Sequence, residues 1–130
     1  MRLLLDTTVL IDALRGRSAA ARVRRLRSGG DGPPLASAIN VEELWRGVRR
    51  SEAGDLRTLL AGLQVVPLGE RAGTLAGNWR RDFAARGITV TQADCLIAAA
   101  AVTAGVRLAT GNPRDFPMPG LELEHWPAGA

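Results

Sequence analysis

Short apolar segments alternate with helix-like segments along the chain, and this alternation constrains the fold more than any other feature. The strand-like segments are short apolar runs, whereas the segments between them space their apolar residues at helical intervals. We predict strands at 2–5, 35–37, 64–68, 106–109 and 121–124, and helices at 9–14, 19–28, 41–48, 55–63, 70–86 and 92–104. This order predicts an α/β fold, a three-layer sandwich with a mostly parallel central sheet. A chain of 130 residues fits one domain over 1–130.

All 17 basic residues are arginine, and this composition excludes several enzyme classes. A P-loop nucleotide site and a Schiff-base enzyme each need a lysine, which the chain lacks. The first fifty residues hold ten arginines against five acids, whereas the remainder is nearly balanced. We therefore expect the first half of the chain to face any polyanionic partner.

The cysteine content and the length of the longest apolar run indicate in which cellular compartment the protein is expected. Cys95 is the only cysteine, so the chain can form neither an intrachain disulfide nor a thiolate zinc site. The longest apolar run, 96–102, is far shorter than the roughly 20 residues of a membrane span. We expect a cytoplasmic protein with no membrane partner.

Acidic and amide side chains follow several of the predicted strands. Asp6 ends the first strand, Glu43 is expected in the first turn of the helix after the second, and Asp94 in the first turn of helix 92–104. Asn112 and Asp115 lie in the loop after the fourth strand. Because the carboxyl ends of parallel strands meet at one edge of a sheet, these residues are expected to converge there.

Converging carboxylates raise one another's pKa values, and a divalent cation relieves their repulsion. Oxygen ligands suit Mg²⁺ or Mn²⁺ rather than zinc. The chain lacks lysine and a cysteine pair and has a single histidine, near its end. Water activated by a bound metal is therefore the most economical nucleophile that this sequence can provide.

A purely structural interpretation of two of these acids is open as well. The spacings from Asn40 to Glu43 and from Thr91 to Asp94 both fit a capping box, in which the acid serves only to start a helix. Glu42 competes with Glu43 as the ligand, since about 100° of helical rotation separates them and one should face solvent. Sequence spacing alone leaves these alternatives unresolved.

The contribution of the loop after the fourth strand is open too. We favour Asp115 as an outer carboxylate, with Asn112 positioning water or phosphate, provided that Pro113 starts a helical turn. The alternative is that Asp115 caps a helix or pairs with an arginine. Asp12 is interpreted as a surface charge or a cap, and Trp45 either contacts a base or a partner, or packs in the core.

Four blocks of the sequence resemble, in order, the motifs of PIN-domain ribonucleases. They are LLLDTTVLID at 3–12, SAINVEELWRG at 37–47, ADCLIAAAA at 93–101 and LATGNPRDF at 108–116. In the second block of the family an acid precedes a Leu and, three residues further on, a Gly. Alignment on Leu44 and Gly47 therefore selects Glu43 rather than Glu42 as the matching acid. The short chain and its last block look most like VapC-type toxins of bacterial toxin–antitoxin pairs, although Asn112 stands where many relatives have a fourth aspartate.

The resemblance implies a Mg²⁺- or Mn²⁺-dependent endoribonuclease, the toxin of a type II toxin–antitoxin system. Asp6, Glu43 and Asp94 would hold the metal directly or through water, and the hydroxyls of Thr8 and Thr110 would orient carboxylates or water, if they are not merely helix caps. The implied partners are RNA, a cognate antitoxin protein and a second copy of the chain in a homodimer. The alternatives are a catalytically inactive PIN-like scaffold that binds RNA or protein, and a phosphatase or DNA nuclease on the same acids.

Overall fold

The computed structural model describes residues 2–129 and shows a five-stranded, wholly parallel sheet in the order β3-β2-β1-β4-β5. The strands are β1 Leu3–Leu5, β2 Leu35–Ser37, β3 Gln64–Val66, β4 Arg107–Thr110 and β5 Leu123–His125. The helices are α1 Thr7–Leu14, α2 Ser18–Ser28, α3 Ala38–Gly47, α4 Ala53–Ala61, α5 Glu70–Ala85 and α6 Gln92–Ala104, with 3-10 turns at Arg50–Glu52 and Pro113–Asp115. The predicted α/β class is confirmed.

Apolar side chains are buried on both faces of the sheet, which explains why the central strand is a continuous run of leucines. Leu3 and Leu5 pack on the side of α1, α2 and α4, whereas Leu4 packs on the side of α5 and α6. The wholly buried alanines 98–101 of α6 pack on the same side of the sheet as Leu4. Trp79 and Phe83 of α5 are buried there too, so they are core residues.

The strand register brings several polar residues to one edge. Leu5 of β1 pairs with Ala109 of β4, and Thr110 of β4 pairs with His125 of β5. Asp6, which follows β1, donates its backbone N–H to the Ala109 carbonyl at 2.9 Å. The carboxyl ends of β1, β4 and β5 therefore lie side by side.

Helix α4 lies two residues earlier than predicted, at Ala53–Ala61, and the starts of the two helices nearest the strand ends, α1 and α3, also differ from the prediction. Helix α1 begins at Thr7 with Asp6 as its N-cap, two residues earlier than predicted. Helix α3 begins at Ala38 because Ser37, rather than Asn40, is its N-cap, and Asn40 is the third helical residue of a Ser37–Asn40 capping box. Glu43 therefore lies in the second turn of α3, and its predicted place in the first turn, as the acid of an Asn40 capping box, is wrong.

Two further side chains are placed differently from one of their proposed interpretations. Asp12 is 3% exposed, so the prediction of a surface charge is wrong. Trp45 is 38% exposed on α3, which excludes the core alternative for that residue. Within residues 2–129, none of the helices has the length and apolar character that crossing a bilayer would need.

Candidate metal centre

Asp6 is the most enclosed acid at the carboxyl edge of the sheet. Its side chain accepts hydrogen bonds from the Thr7 backbone N–H at 2.8 Å, the Thr110 hydroxyl at 2.8 Å and the Thr8 hydroxyl at 3.2 Å. Burial raises the pKa of Asp6 and the nearby Glu43 charge raises it further, whereas these hydrogen bonds lower it. The result is a carboxylate held in one orientation and with a raised pKa.

Thr8 and Thr110 also organise the loop that follows β4. The Thr8 hydroxyl accepts the Gly111 N–H at 2.9 Å, and the Thr110 hydroxyl accepts the Asn112 N–H at 3.0 Å. Each hydroxyl therefore accepts from the loop while it donates to Asp6. Both threonines thus contact Asp6, and their role in orienting it for a metal stays a prediction.

A chain of hydrogen bonds positions Glu43 against the same edge. The Asn40 side-chain amide donates to the Thr7 hydroxyl at 3.0 Å, and that hydroxyl donates to Glu43 Oε1 at 2.7 Å. Asn40 is itself fixed, because its Oδ1 accepts the Ser37 N–H at 2.9 Å and the Ser37 hydroxyl at 2.7 Å. Thr7, which directly follows Asp6, therefore joins the start of α1 to the helix that bears Glu43.

Glu42, the alternative to Glu43, faces elsewhere. Its carboxylate pairs with Arg46 one helical turn away, with 3.1 Å between Arg46 Nε and Glu42 Oε2, and both side chains are largely exposed. Such an exposed pair one turn apart contributes little to stability, because water screens the two charges. Of the two neighbouring glutamates, only Glu43 contacts the residues around Asp6.

Asp94 lies in the first turn of α6, where Thr91 is the N-cap and its hydroxyl accepts the Asp94 N–H at 3.0 Å. Partial burial raises the pKa of Asp94 to about 6, the Thr91 side chain lowers it, and the charges of Asp115, Asp6 and Glu43 raise it. Asp94 therefore lies at the predicted helix start, and the charges of three other carboxylates raise its pKa.

Asp115 approaches the other acids through a short helical turn. Asn112 immediately precedes the 3-10 turn Pro113–Asp115, in which Pro113 is the first residue, as the sequence predicted. Among the neighbouring charges that raise the pKa of Asp94, that of Asp115 has the largest effect. Asp115 and Asn112 are both exposed, so this part of the site opens to solvent. We call Asp6, Glu43, Asp94 and Asp115 the carboxylate site.

The donor set of the carboxylate site fits a divalent cation. Three negative charges, those of Asp115, Asp6 and Glu43, act on Asp94, and all-oxygen donors are the ligands that Mg²⁺ and Mn²⁺ prefer. Across residues 2–129, no group of three Asp, Glu, His or Cys side chains is already close enough to hold one ion. Joint binding therefore requires water between ion and carboxylates, or a rotation of side chains.

The comparison with known families agrees with this geometry. A family model described as the PIN domain matches residues 3–117. The chain belongs to the PIN-domain family. This PIN domain is also 36% identical over 116 residues to the ribonuclease VapC10 of Mycobacterium tuberculosis, an alignment that covers 89% of this chain and 86% of that relative. The sequence-based prediction of a PIN-domain protein of the VapC kind is confirmed.

Solved structures with the same fold are also similar to this PIN domain. One is VapBC2 from Rickettsia felis bound to a DNA fragment from its promoter, with a TM-score of 0.84, 23% identity and coverage of 97% of this chain and 99% of that one. Another is DNA-bound VapBC from Salmonella typhimurium, with a TM-score of 0.80, 25% identity and coverage of 97% and 98%.

Sequence reasoning missed Thr7 and Asn40 as parts of this site. The sequence predicts Asn40 only as a helix cap and assigns Thr7 no role in the site, because neither residue has a periodic signal that marks it. Glu43, which accepts the hydrogen bond of the Thr7 hydroxyl, lies 36 residues further along the chain, so only the folded structure brings the two together. A hydroxyl directly after the strand-end acid was the one available hint.

Proposed function

We propose that this PIN-domain protein is a Mg²⁺- or Mn²⁺-dependent endoribonuclease and the toxin of a type II toxin–antitoxin pair, acting in the cytoplasm. The observation that carries the metal dependence is the convergence of three carboxylates on Asp94, because the charges of Asp115, Asp6 and Glu43 all raise its pKa. Holding negative charges together costs free energy, and a cation that binds between them recovers it.

We assign the roles within the carboxylate site from the contacts of each side chain. Asp6, Glu43 and Asp94 hold the metal, directly or through water. Asp115 is an outer carboxylate at the open side, and Asn112 positions water or phosphate. When bound, a divalent cation lowers the pKa of an attacking water and offsets negative charge on the phosphate.

The surrounding hydroxyls keep these carboxylates in place before the metal arrives. Thr8 and Thr110 fix the Oδ2 oxygen of Asp6, and Thr7 fixes Oε1 of Glu43. Because such contacts hold the ligands in one orientation, less conformational entropy is lost when the metal binds. Loss of one of these contacts is expected to weaken metal binding by about 10-fold or more.

The similarity to known proteins supports RNA as the substrate, because the relative from Mycobacterium tuberculosis is named a ribonuclease. An inactive scaffold that binds RNA or protein is less consistent with the structure. Four acids that destabilise one another would serve no purpose in a scaffold, whereas they are useful as metal ligands.

The antitoxin partner is supported by the solved VapBC structures and by one exposed side chain. Trp45 lies two residues after Glu43 on α3, and the guanidinium of Arg57 lies 5.6 Å from the centre of its ring. A large exposed aromatic ring on the helix that bears Glu43 suits the centre of a protein interface. The predicted homodimer stays a prediction.

The proposed nuclease activity is tested by incubating purified protein with labelled RNA in Mg²⁺ or Mn²⁺. Cleavage should stop on addition of a chelator and should fall by roughly 100-fold or more in Asp94→Asn. Asp82→Asn is the matched control, because Asp82 is an exposed acid on α5 that pairs with its neighbour Arg81. Equal cleavage by Asp94→Asn and the parent would contradict the assignment.

The antitoxin is tested by co-expression with the product of the adjacent gene. The two proteins should purify as one complex that does not cleave RNA, and Trp45→Ala should weaken that complex by about tenfold or more. If the two proteins elute separately, this partnership is wrong.

A further inference from the structure

A cleft opens beside the carboxylate site, at the carboxyl ends of β4 and β5. It measures about 530 Å³ and is lined by Gly111, Asn112, Pro113, Arg114, Asp115 and His125. This volume lies in the range of sites that bind small molecules or single nucleotides. None of the catalytic roles proposed above uses Arg114 or His125.

The strand register places His125 in line with the residues around the metal centre. Leu108 pairs with Leu123, and Leu4 pairs with Leu108, and all three pack on the α5 and α6 side of the sheet. Because side chains alternate along a strand, the positions two residues later face the same side. Asp6, Thr110 and His125 therefore form a row across neighbouring strand ends.

The donors in this cleft have no partner in the described part of the chain. Across residues 2–129, the side chains of Arg114, His125 and Asn112 make no hydrogen bond or ion pair, and Arg114 is not paired with its neighbour Asp115. All three are exposed. A guanidinium, an imidazole and an amide with free N–H groups are suited to bind the oxygens of a phosphate.

The cleft is continuous with the carboxylate site through Asp115. Asp115 lines the cleft, and its charge also acts on Asp94. A cation at the carboxylates would bind one phosphate of a nucleic-acid strand, and the donors of Arg114 and His125 lie on the side towards the sheet edge. A strand that runs from one to the other crosses the turn Pro113–Asp115.

We infer that this cleft binds the nucleotide next to the cleaved bond, with Arg114 and His125 donating hydrogen bonds to its phosphate. This inference rests on the proposed ribonuclease function and adds a substrate-binding subsite to it. Arg114 contributes charge and two directed donors, whereas His125 contributes one N–H from the neighbouring strand. The subsite fixes which phosphate of the strand reaches the carboxylates.

The test measures binding and cleavage separately. Binding of a fluorescein-labelled pool of short random-sequence RNA is followed by anisotropy in the Asp94→Asn background, so that the RNA stays intact. His125→Ala and Arg114→Ala are expected to weaken binding by about tenfold each. In the otherwise unchanged protein, both substitutions should raise KM more than they lower kcat. His125→Gln, which keeps an N–H donor, should recover part of the loss.

The charge-matched control is Arg107→Ala. Arg107 begins the same strand that leads to Arg114 but lies at the opposite edge of the sheet, where it pairs with Glu122 at 3.0 Å. If the parent cleaves RNA while His125→Ala and Arg114→Ala bind as tightly as Arg107→Ala, the subsite is wrong and the nuclease function stands. If the parent neither binds nor cleaves RNA, both proposals are wrong.

Discussion

Asp6 and Asp12 are both buried acids of the first sequence block, with 5% and 3% of their surface exposed, yet their surroundings differ. Asp12 accepts the Ala19 N–H at 2.7 Å, the Ser18 hydroxyl at 3.1 Å and the Gly129 N–H at 3.3 Å. We call these four residues the Asp12 junction. It ties the start of α2 and the C-terminal segment to α1.

The difference lies in which groups surround each acid. The groups that contact the Asp12 carboxylate are hydrogen-bond donors, whereas Asp6 meets donors and also the negative charge of Glu43, which raises its pKa. Burial of a carboxylate is therefore no sign of function in itself. A carboxylate surrounded by donors stabilises the fold, and one that shares its site with other carboxylates is suited to bind a cation.

The largest expected effect separates these two roles. Asp6→Asn should reduce metal-dependent RNA cleavage by roughly 100-fold or more, since it removes a ligand charge. The fold should persist, because an amide oxygen can still accept the Thr7 N–H and a hydroxyl can accept from the amide nitrogen. Cleavage rates and circular dichroism of both proteins measure this. Undiminished cleavage would place Asp6 with Asp12 as a structural acid.

The converse substitution should affect stability instead. Asp12→Asn replaces one acceptor oxygen with a donor, so at least one N–H or hydroxyl of the junction loses its partner, at a cost of roughly 2 kcal/mol. Urea unfolding measures the change in free energy of unfolding. RNA cleavage below the melting temperature should stay near that of the parent. A large loss of cleavage in the folded variant would contradict the comparison.

A smaller effect is expected at the open side of the carboxylate site. Asp115→Asn should reduce cleavage by about tenfold at limiting Mn²⁺, and higher Mn²⁺ should restore part of it, because an outer carboxylate contributes charge to metal binding. Asn112→Ala should reduce cleavage at every Mn²⁺ concentration alike, since it positions water or phosphate. Full activity of Asp115→Asn would leave a site of three carboxylates.

The smallest effect is a pH-dependent gain of stability in Asp94→Asn. The pKa of Asp94 is raised from 3.8 to about 6 in the folded state, so the folded state is stabilised while Asp94 is protonated, and this is lost as the pH rises through about 6. In chelator, the variant should melt about 3 °C above the parent at higher pH. The gap should close below pH 3.8. A constant gap would show that the charge of Asp94 is not the cause.

Local patterns predicted the fold and the place of most site residues. Asp6, Asp94 and Thr110 follow from short apolar strands and the rule that strand ends converge, and Thr91 is the cap that the sequence predicted. The predicted start of α3 is wrong, since Asn40 has the side chain of a helix cap but Ser37, the last residue of β2, is the cap. The sequence therefore predicts the edge of the sheet at which Glu43 lies, but not that Glu43 lies in the second turn of α3.

Contacts between distant segments could not be predicted from the sequence. The donors to Asp12 include Gly129, which lies 117 residues away, and Thr7 reaches Glu43 over 36 residues. Neither contact has a spacing that a local pattern could reveal. The cap interpretation of Asp12 was correct in kind, because its carboxylate accepts an N–H in the first turn of α2, where the N-cap Arg17 makes no side-chain bond.

The central claim is that the carboxylate site binds a divalent cation and the Asp12 junction does not. It is tested most directly by the melting temperatures of the parent, Asp6→Asn and Asp12→Asn as Mn²⁺ or Mg²⁺ is added. The cation should stabilise the parent by about 2.7 kcal/mol at a hundredfold excess over Kd. Asp12→Asn should gain as much, and Asp6→Asn much less. An equal gain in Asp6→Asn and the parent would contradict the account.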